Sequence, residues 1–221
     1  MKPTILLAQA TTSGGRLMTL HEHDGSFLIR IDGVELMSTR QHHSECRLAE
    51  VACEQLHNRA APRVLIGGLG LGFTLRAALA GLGPEAQVTV VELLPAVVDW
   101  NLNPAYGLAA DALQDPRVSV VVGDVARVIR RRPGSFDAIL LDVDNGASGL
   151  TTAANDRLYD AAGLERAKAA IRPGGCLAVW SAVDDPAFRE RLRSRGFAVT
   201  TERVAAYAGG NSLNWLFVGR C

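Results

Sequence analysis

The sequence has little lysine and no excess of charge of either sign. Lys2 and Lys168 are the only lysines, and the 23 basic side chains are balanced by 23 acidic ones among 221 residues. A protein that holds nucleic acid or an acidic membrane surface depends on a basic excess. We therefore expect neither nucleic acid nor a membrane among the partners of this protein.

Cysteines and long apolar runs are also scarce. The four cysteines form no CxxC pair and no disulfide framework; they are Cys46, Cys53, Cys176 and Cys221. This spacing favours a reducing, cytoplasmic compartment. No apolar run approaches the length needed to span a bilayer, and the run at 5–8 is too short for the core of a signal peptide. We predict a soluble, cytoplasmic protein.

The first 44 residues differ in pattern from the rest of the chain. They contain short strand-like runs at 5–8, 16–20, 26–31 and 34–37. Asp24-Gly25 and Asp32-Gly33 separate the later runs, and Asp-Gly is a strong hairpin signal. We predict a small antiparallel β cap over residues 1–44 and a second, catalytic domain over residues 45–221.

In the second domain, apolar strand candidates alternate with helical patterns. The strand candidates are 64–66, 88–91, 118–122, 138–141, 177–180, 198–200 and 213–218, and the helix candidates are 73–81, 95–109, 125–132, 157–171 and 186–194. Near-continuous apolar strands predict a mostly parallel sheet covered on both faces. The last two strands are too close for a helix between them, so they predict an antiparallel hairpin. The fold class is a Rossmann-like α/β fold with a seven-stranded sheet.

A glycine-rich loop follows the first strand of this series. Gly68, Gly70 and Gly72 form G-x-G-x-G between a strand and a helix, where backbone amides face a ligand. Dinucleotide enzymes favour G-x-G-x-x-G, and Phe73 stands where their third glycine would be. The loop predicts a nucleotide or nucleoside site, with a simple packing turn as the alternative.

An acidic residue follows each of the next three strands. Glu92 ends the second strand, at the spacing where an acid reaches ribose hydroxyls. Asp124 precedes Val125 after the third strand and is suited to accept from an exocyclic amine. Asp142 ends the fourth strand. Open α/β sheets bind ligands at the carboxyl ends of their strands, so this ordered series predicts a ligand crevice.

The chain resembles the spermidine synthase-like branch of the class I S-adenosylmethionine-dependent methyltransferases over residues 28–218. The matching parts, beside the glycine loop, are Ile31-Asp32-Gly33, Arg40, His43-Ser44-Glu45, Val91-Glu92, Gly123-Asp124, Phe136-Asp137, Asp142, Asn155, Tyr159 and Arg172-Pro173-Gly174-Gly175. The resemblance implies S-adenosylmethionine or its decarboxylated form as cofactor, with the glycines near the methionine end. It also implies Glu92 on the ribose, Asp124 and Val125 at the adenine, and Asp142 beside the sulfonium and the acceptor amine.

Two positions depart from that family. Leu71 stands where aminopropyltransferases have an aspartate that grips the donor amine, and Asn145 replaces the second acid of their D-x-x-D motif. A dication loses electrostatic recognition without these carboxylates. We therefore predict a transferase that moves a methyl group from S-adenosylmethionine to a small amine or hydroxyl acceptor, with Asp142 as the catalytic residue. Aminopropyl or aminocarboxypropyl transfer is the alternative.

The acceptor site is predicted at His43, Asn145 and Tyr207. His43 aligns with an aromatic residue of the family's substrate site, and Tyr207 resembles a family tyrosine that contacts substrate; an ordinary surface role stays open for each. The histidines lack acidic or cysteine ligands at metal-binding spacing, so we predict no metal.

Two other function classes stay open. An NAD-dependent dehydrogenase would share the glycine loop and Glu92, but the third glycine and an evident hydride-relay pair are missing. A non-catalytic nucleoside-binding protein would keep the loop and lose the acceptor pocket. Leu71 and Asn145 fit such a loss, whereas Asp142 argues against it. The expected partner is a small-molecule acceptor, and the pattern leaves a homodimer open.

Overall fold

Two β-sheets form the frame of the protein. The computed structural model describes residues 2–12, 14–143, 156–207, 210 and 212–221. The small sheet contains, in chain order, β1 (Ile5–Thr11), β2 (Leu17–His23), β3 (Ser26–Ile31) and β4 (Val34–Ser38). All its neighbours pair antiparallel, which confirms the predicted β cap.

The two Asp-Gly pairs form the turns between β2 and β3 and between β3 and β4. Asp24 and Asp32 have φ of 51° and 50°, and the glycine after each also has positive φ. Turns of this mirror-image type require positive φ at both central residues and match the twist of paired strands. The carboxylate of Asp32 also accepts from the backbone amide of Leu17 at 3.0 Å, which ties this turn to the start of β2.

The large sheet has seven strands in the order β10-β11-β9-β8-β5-β6-β7. They are β5 (Arg63–Gly67), β6 (Gln87–Glu92), β7 (Val118–Val122), β8 (Phe136–Leu141), β9 (Ile171–Ser181), β10 (Ala198–Ala205) and β11 (Leu213–Arg220). Strands β5 to β9 pair parallel, and β11 pairs antiparallel with both β9 and β10. The predicted mostly parallel sheet with its closing hairpin is confirmed.

Helices connect the strands of the large sheet. They are α1 (His43–Cys53), α2 (Phe73–Gly81), α3 (Pro95–Leu102), α4 (Ala110–Leu113), α5 (Val125–Arg131), α6 (Asp156–Tyr159), α7 (Ala161–Ala170) and α8 (Pro186–Ser194), with a short 3₁₀ helix, Glu54–Leu56, after α1. No helix in the described ranges is both long and apolar enough to cross a membrane.

Two helix predictions were too long. The helix predicted over 95–109 ends at Leu102, because Asn103 precedes Pro104 and is held extended, with ψ of 113°. The helix predicted over 157–171 is divided at Asp160. The side chain of Asp160 accepts from the backbone amide of Gly163 at 2.6 Å and so begins α7 anew.

One hydrophobic core joins the small sheet to the large one. Leu20 of β2 and Ile29 of β3 are buried in the same cluster as Leu48 of α1 and Val90 of β6. A separate cluster covers the opposite face of the large sheet, beneath α5, α7 and α8. The division at residues 44 and 45 stays a prediction, since the core is continuous across it. This packing carries β4 over the carboxyl ends of the central strands.

Candidate functional site

Two cavities meet over the carboxyl ends of the parallel strands. We call one the strand-side cavity, about 220 Å³, which is lined by Gly68, Glu92, Asp124 and their neighbours. The other, the helix-side cavity, is about 280 Å³ and is lined by Glu45, Trp180 and their neighbours. Four residues line both cavities: Leu36, Met37, Gly70 and Asp142. The predicted crevice is therefore two connected spaces, with β4 as a shared wall.

The three glycines of the loop have different tasks. All have left-handed φ, at 91°, 53° and 84° for Gly68, Gly70 and Gly72. A Cβ on Gly68 would lie 2.1 Å from the carbonyl oxygen of Asp142. A Cβ on Gly72 would lie 2.3 Å from the Cβ of Ala109, the residue before α4. A Cβ on Gly70 would meet first the flexible Met37, at 3.0 Å. Gly68 and Gly72 therefore allow the loop to pack closely against neighbouring segments of the protein. Gly70 lines both cavities, whereas Gly72 lines neither.

Glu92 holds the glycine loop in place. It is buried at the end of β6 and accepts from the backbone amides of Leu69 and Leu94, each at 2.9 Å. Glu92 also lines the strand-side cavity, so a hydroxyl of a ligand bound there can approach its carboxylate. The predicted ribose contact is compatible with this structural task.

The rest of the strand-side cavity is mostly apolar. Asp124 caps α5 by accepting from the backbone amide of Ala126 at 2.8 Å, and it lines the cavity together with Val125. The apolar wall comes from the small sheet, the loop after β6 and the first turn of α3: Met18, Ile29, Ile31, Leu36, Leu94 and Val97. A space with apolar walls and three carboxylate residues in its lining suits a nucleoside, whose base is apolar on its faces and polar at its rim.

Asp142 lies where the two cavities join. It follows the last residue of β8, and its Oδ2 accepts from the hydroxyl of Thr74 at 2.5 Å. No lysine, arginine or histidine is among the described residues that line either cavity. A cation bound near Asp142 would therefore have further carboxylates close by in each of the two cavities.

A further carboxylate, Glu45, lies in the helix-side cavity, where sequence analysis noted it only as part of a matching segment. The Ser44 hydroxyl accepts from the side chains of Trp180 and Asn214, at 3.0 and 2.9 Å. It donates to Oε2 of Glu45 at 2.6 Å. Burial raises the pKa of the Glu45 carboxyl and outweighs the opposite effect of this hydrogen bond. No spacing rule marks this residue, because the partners that hold Ser44 come from two distant parts of the chain.

The thiol of Cys46, on the same helix, is not an activated nucleophile. Burial raises its pKa to about 11, and the negative charges of Glu45, Glu50 and Asp142 act in the same direction. A thiol with so high a pKa stays protonated at neutral pH.

Three predicted acceptor residues are not brought to the cavities by the described structure. His43 is exposed at the start of α1, and Tyr207 is 44% exposed after β10; neither lines a cavity. Asn145 lies outside the described residues, as does the neighbouring Asp144. Their contact with substrate stays a prediction.

The chain is similar in sequence to several polyamine aminopropyltransferases, although no protein-family model matches it. The polyamine aminopropyltransferase of Mycobacterium tuberculosis is 32% identical over 183 residues, which cover 79% of this chain and 34% of that protein. The one from Leptospira biflexa is 31% identical over 132 residues, 60% of this chain and 42% of that protein. The chain thus spans about a third of the length of the Mycobacterium relative.

The fold is similar to that of solved spermidine synthases. The spermidine synthase from Thermotoga maritima matches 97% of this chain and 72% of its own, with a TM-score of 0.76 and 19% identity. A spermidine synthase in complex with the transition-state analogue AdoDATO matches with a TM-score of 0.75, 18% identity and the same coverage. These likenesses extend over both sheets of the fold.

Proposed function

This chain is a homologue of the polyamine aminopropyltransferases with the spermidine synthase fold, and on that premise we propose that it transfers an aminopropyl group. The donor would be decarboxylated S-adenosylmethionine and the acceptor a small amine. Methyl transfer, which Leu71 and Asn145 led us to prefer from the sequence, has no support among the relatives. We therefore adopt the alternative reaction and the decarboxylated donor.

The observation that carries the proposal is the meeting of two acidic cavities at Asp142. A group transfer between two ligands needs two spaces that share one reacting point, and Asp142 lines both of them. The described lining residues are acidic or uncharged throughout, which suits a cationic donor and an amine acceptor. A simple nucleoside-binding protein would have no need of the second, acidic space.

The residues of the strand-side cavity fit the nucleoside part of this donor. Gly70 lets the ligand approach the loop, and Glu92 can accept from ribose hydroxyls while it holds the loop. The apolar wall accommodates the base, and Asp124 lies at the rim beside α5.

Asp142 is the residue we assign to the chemical step. The bound donor supplies a carbon next to a sulfonium, and the electron pair of the breaking carbon–sulfur bond goes to sulfur as the acceptor nitrogen bonds to that carbon. The Asp142 carboxylate orients the uncharged acceptor amine and takes up the proton that its nitrogen must release. The hydroxyl of Thr74 donates to Oδ2 of Asp142 and fixes its direction.

The test is product analysis with purified protein, 1,4-diaminobutane and either form of the donor. With decarboxylated S-adenosylmethionine we expect 5′-methylthioadenosine and the aminopropylated diamine in equal amounts. With S-adenosylmethionine we expect neither S-adenosylhomocysteine nor a methylated amine. Calorimetric titration should give tighter binding of the decarboxylated form and of methylthioadenosine than of NADH. Methylation of the amine, or binding of NADH alone, would overturn the proposal.

A further inference from the structure

The helix-side cavity contains a second carboxylate that the proposed transfer does not use. Glu45 lies in the first turn of α1, one residue before Cys46 and far along the chain from Asp142. Its backbone oxygen and the Asp142 carboxylate both contact the hydroxyl of Thr74, at 3.4 and 2.5 Å, so the two acidic residues flank the same side chain. Both line the helix-side cavity.

Ser44 fixes the orientation of the Glu45 carboxylate. A hydroxyl has one donor hydrogen and two acceptor lone pairs. Trp180 and Asn214 donate to the Ser44 oxygen, so its hydrogen is left for Oε2 of Glu45. In the described part of the chain, Ser44 is the only side chain that donates to this carboxylate, which also interacts with the backbone amide of Glu45 itself. Oε2 is thus held by the fold, and an ionised carboxylate offers about four lone-pair sites, so it can still accept from a ligand.

The surroundings of Glu45 favour a positively charged ligand. The buried position raises the pKa of its carboxyl because the charged form is poorly solvated there. Exposed Glu35 adds a third carboxylate to the cavity, and the other polar lining side chains are the uncharged Ser38, Gln41, Ser212 and Asn214. An ammonium group in this cavity would offset the desolvation cost of the carboxylate and donate a charge-assisted hydrogen bond to it.

We infer that Glu45 is the specificity-determining residue of the helix-side cavity and binds a primary ammonium group on a short alkyl chain. The inference rests on the proposed function for the identity of the two ligands that enter the site. Such an ammonium has two sources, the amine acceptor and the aminopropyl group of the donor. The chemistry of recognition is the same for both.

The test compares the wild-type protein with Glu45→Gln, which keeps the shape of the side chain and its contact with Ser44. Calorimetry measures binding of three probes: 1,4-diaminobutane, decarboxylated S-adenosylmethionine, and methylthioadenosine, which is the same nucleoside without the propylammonium. Glu50→Gln is the matched control, because Glu50 is exposed on the same helix and pairs with Arg47 outside the cavity.

We expect Glu45→Gln to lower the affinity for at least one of the two ammonium probes by about tenfold to a hundredfold, the range of a charge-assisted hydrogen bond. Methylthioadenosine should bind within about twofold of wild type. A loss of affinity for 1,4-diaminobutane means that Glu45 binds the acceptor, and a loss of affinity for decarboxylated S-adenosylmethionine means that it binds the donor. The Glu50→Gln protein should match wild type with all three probes.

The inference is overturned if the wild-type protein binds neither ammonium probe, or if both bind Glu45→Gln as tightly as wild type. An equal loss of methylthioadenosine binding would also overturn it, since that marks a change of structure. A protein that binds ammonium through Glu45 but forms no transfer product would support this inference and refute the proposed transfer. The two failures are therefore separable.

Discussion

Strand β8 carries an aspartate near each end, and the two have opposite surroundings. At the amino end, Asp137 is 1% exposed and accepts from Arg59 at 2.6 Å, from Arg172 at 3.3 Å and from the backbone amide of Arg63 at 2.7 Å. Beyond the carboxyl end, Asp142 is partly buried, accepts from the uncharged Thr74 and lines two cavities.

The same contrast extends along the two edges of the parallel sheet. At the amino edge, the acids are neutralised by arginine, as Asp115 is by Arg117 before β7. At the carboxyl edge, Glu45, Glu92 and Asp142 accept from neutral groups: a serine, two backbone amides and a threonine. A buried acid paired with arginine contributes to the fold, whereas these three acids line the cavities, where a cationic ligand can approach them.

Replacement of Asp142 tests the carboxyl edge most directly. We expect Asp142→Asn to lower the single-turnover rate of aminopropyl transfer by about a hundredfold to ten-thousandfold, the range of general-base assistance. The free energy of unfolding should change little, because the amide still accepts from Thr74. Asp144→Asn is the comparison variant. A near-normal rate for Asp142→Asn would assign the proton transfer to another residue.

Replacement of Asp137 tests the amino edge in the opposite sense. Asp137→Asn removes the charge that pairs with Arg59 and Arg172, so we expect the free energy of unfolding to fall by about 3–5 kcal/mol. Denaturant unfolding measures this loss, and calorimetry on the folded fraction should show unchanged affinity for methylthioadenosine. A large loss of affinity with unchanged stability would break the contrast between the edges.

Glu92 both holds the glycine loop and lines the strand-side cavity, so its replacement should have an effect smaller than those at Asp142 and Asp137. Glu92→Gln places the side-chain NH2, a donor, against the backbone N–H of Leu69 or Leu94, and it removes a charged acceptor for the ribose. We expect methylthioadenosine to bind about tenfold more weakly, or worse, which corresponds to about 1.5–3 kcal/mol. Glu85→Gln, on the exposed approach to β6, is the control and should bind normally. Equal affinities of the two variants would leave Glu92 with no contact to the ligand.

In the glycine loop, close packing and ligand binding can be tested separately at residues only two positions apart. Gly70→Ala should cost about 1–2 kcal/mol of unfolding free energy from its left-handed φ, and it should weaken nucleoside binding because the methyl group points into the cavities. Gly68→Ala should cost more stability, since its methyl group would collide with the backbone of Asp142. Thermal unfolding and calorimetry of both variants check this order. Normal binding by Gly70→Ala would make the loop a packing turn only.

The smallest expected effect is the pH dependence due to Glu45. A carboxyl whose pKa is raised in the folded protein makes the fold lose stability as pH rises from its ordinary value of 4.5 through the raised value. Wild type should therefore lose stability across this interval relative to Glu45→Gln, and 1,4-diaminobutane should reduce the difference. Urea unfolding at a series of pH values measures this difference in unfolding free energy between the two proteins. Parallel curves for the two proteins would show that burial does not perturb Glu45.

Much of the fold follows from local patterns in the chain. The Asp-Gly turns, the apolar strand runs and the short spacing before the last strand predict both sheets and the closing hairpin. The helix ends were less predictable where single residues decide them, as the pre-proline Asn103 and the capping Asp160 do. Propensity extends a helix across such residues, whereas one backbone angle or one side-chain hydrogen bond ends it.

The sequence by itself determined where Gly68, Gly70, Glu92, Asp124 and Asp142 lie, because the carboxyl ends of parallel strands always share one edge of a sheet. Only the tertiary structure decided what lies opposite them. It brings Met37 of β4 across Gly70, and it assembles Ser44, Trp180 and Asn214 around Glu45. It also leaves His43 and Tyr207 at the surface. Residues at strand ends follow from the order of the strands along the chain, whereas contacts between distant segments depend on the packing of a cap and a helix that no local pattern records.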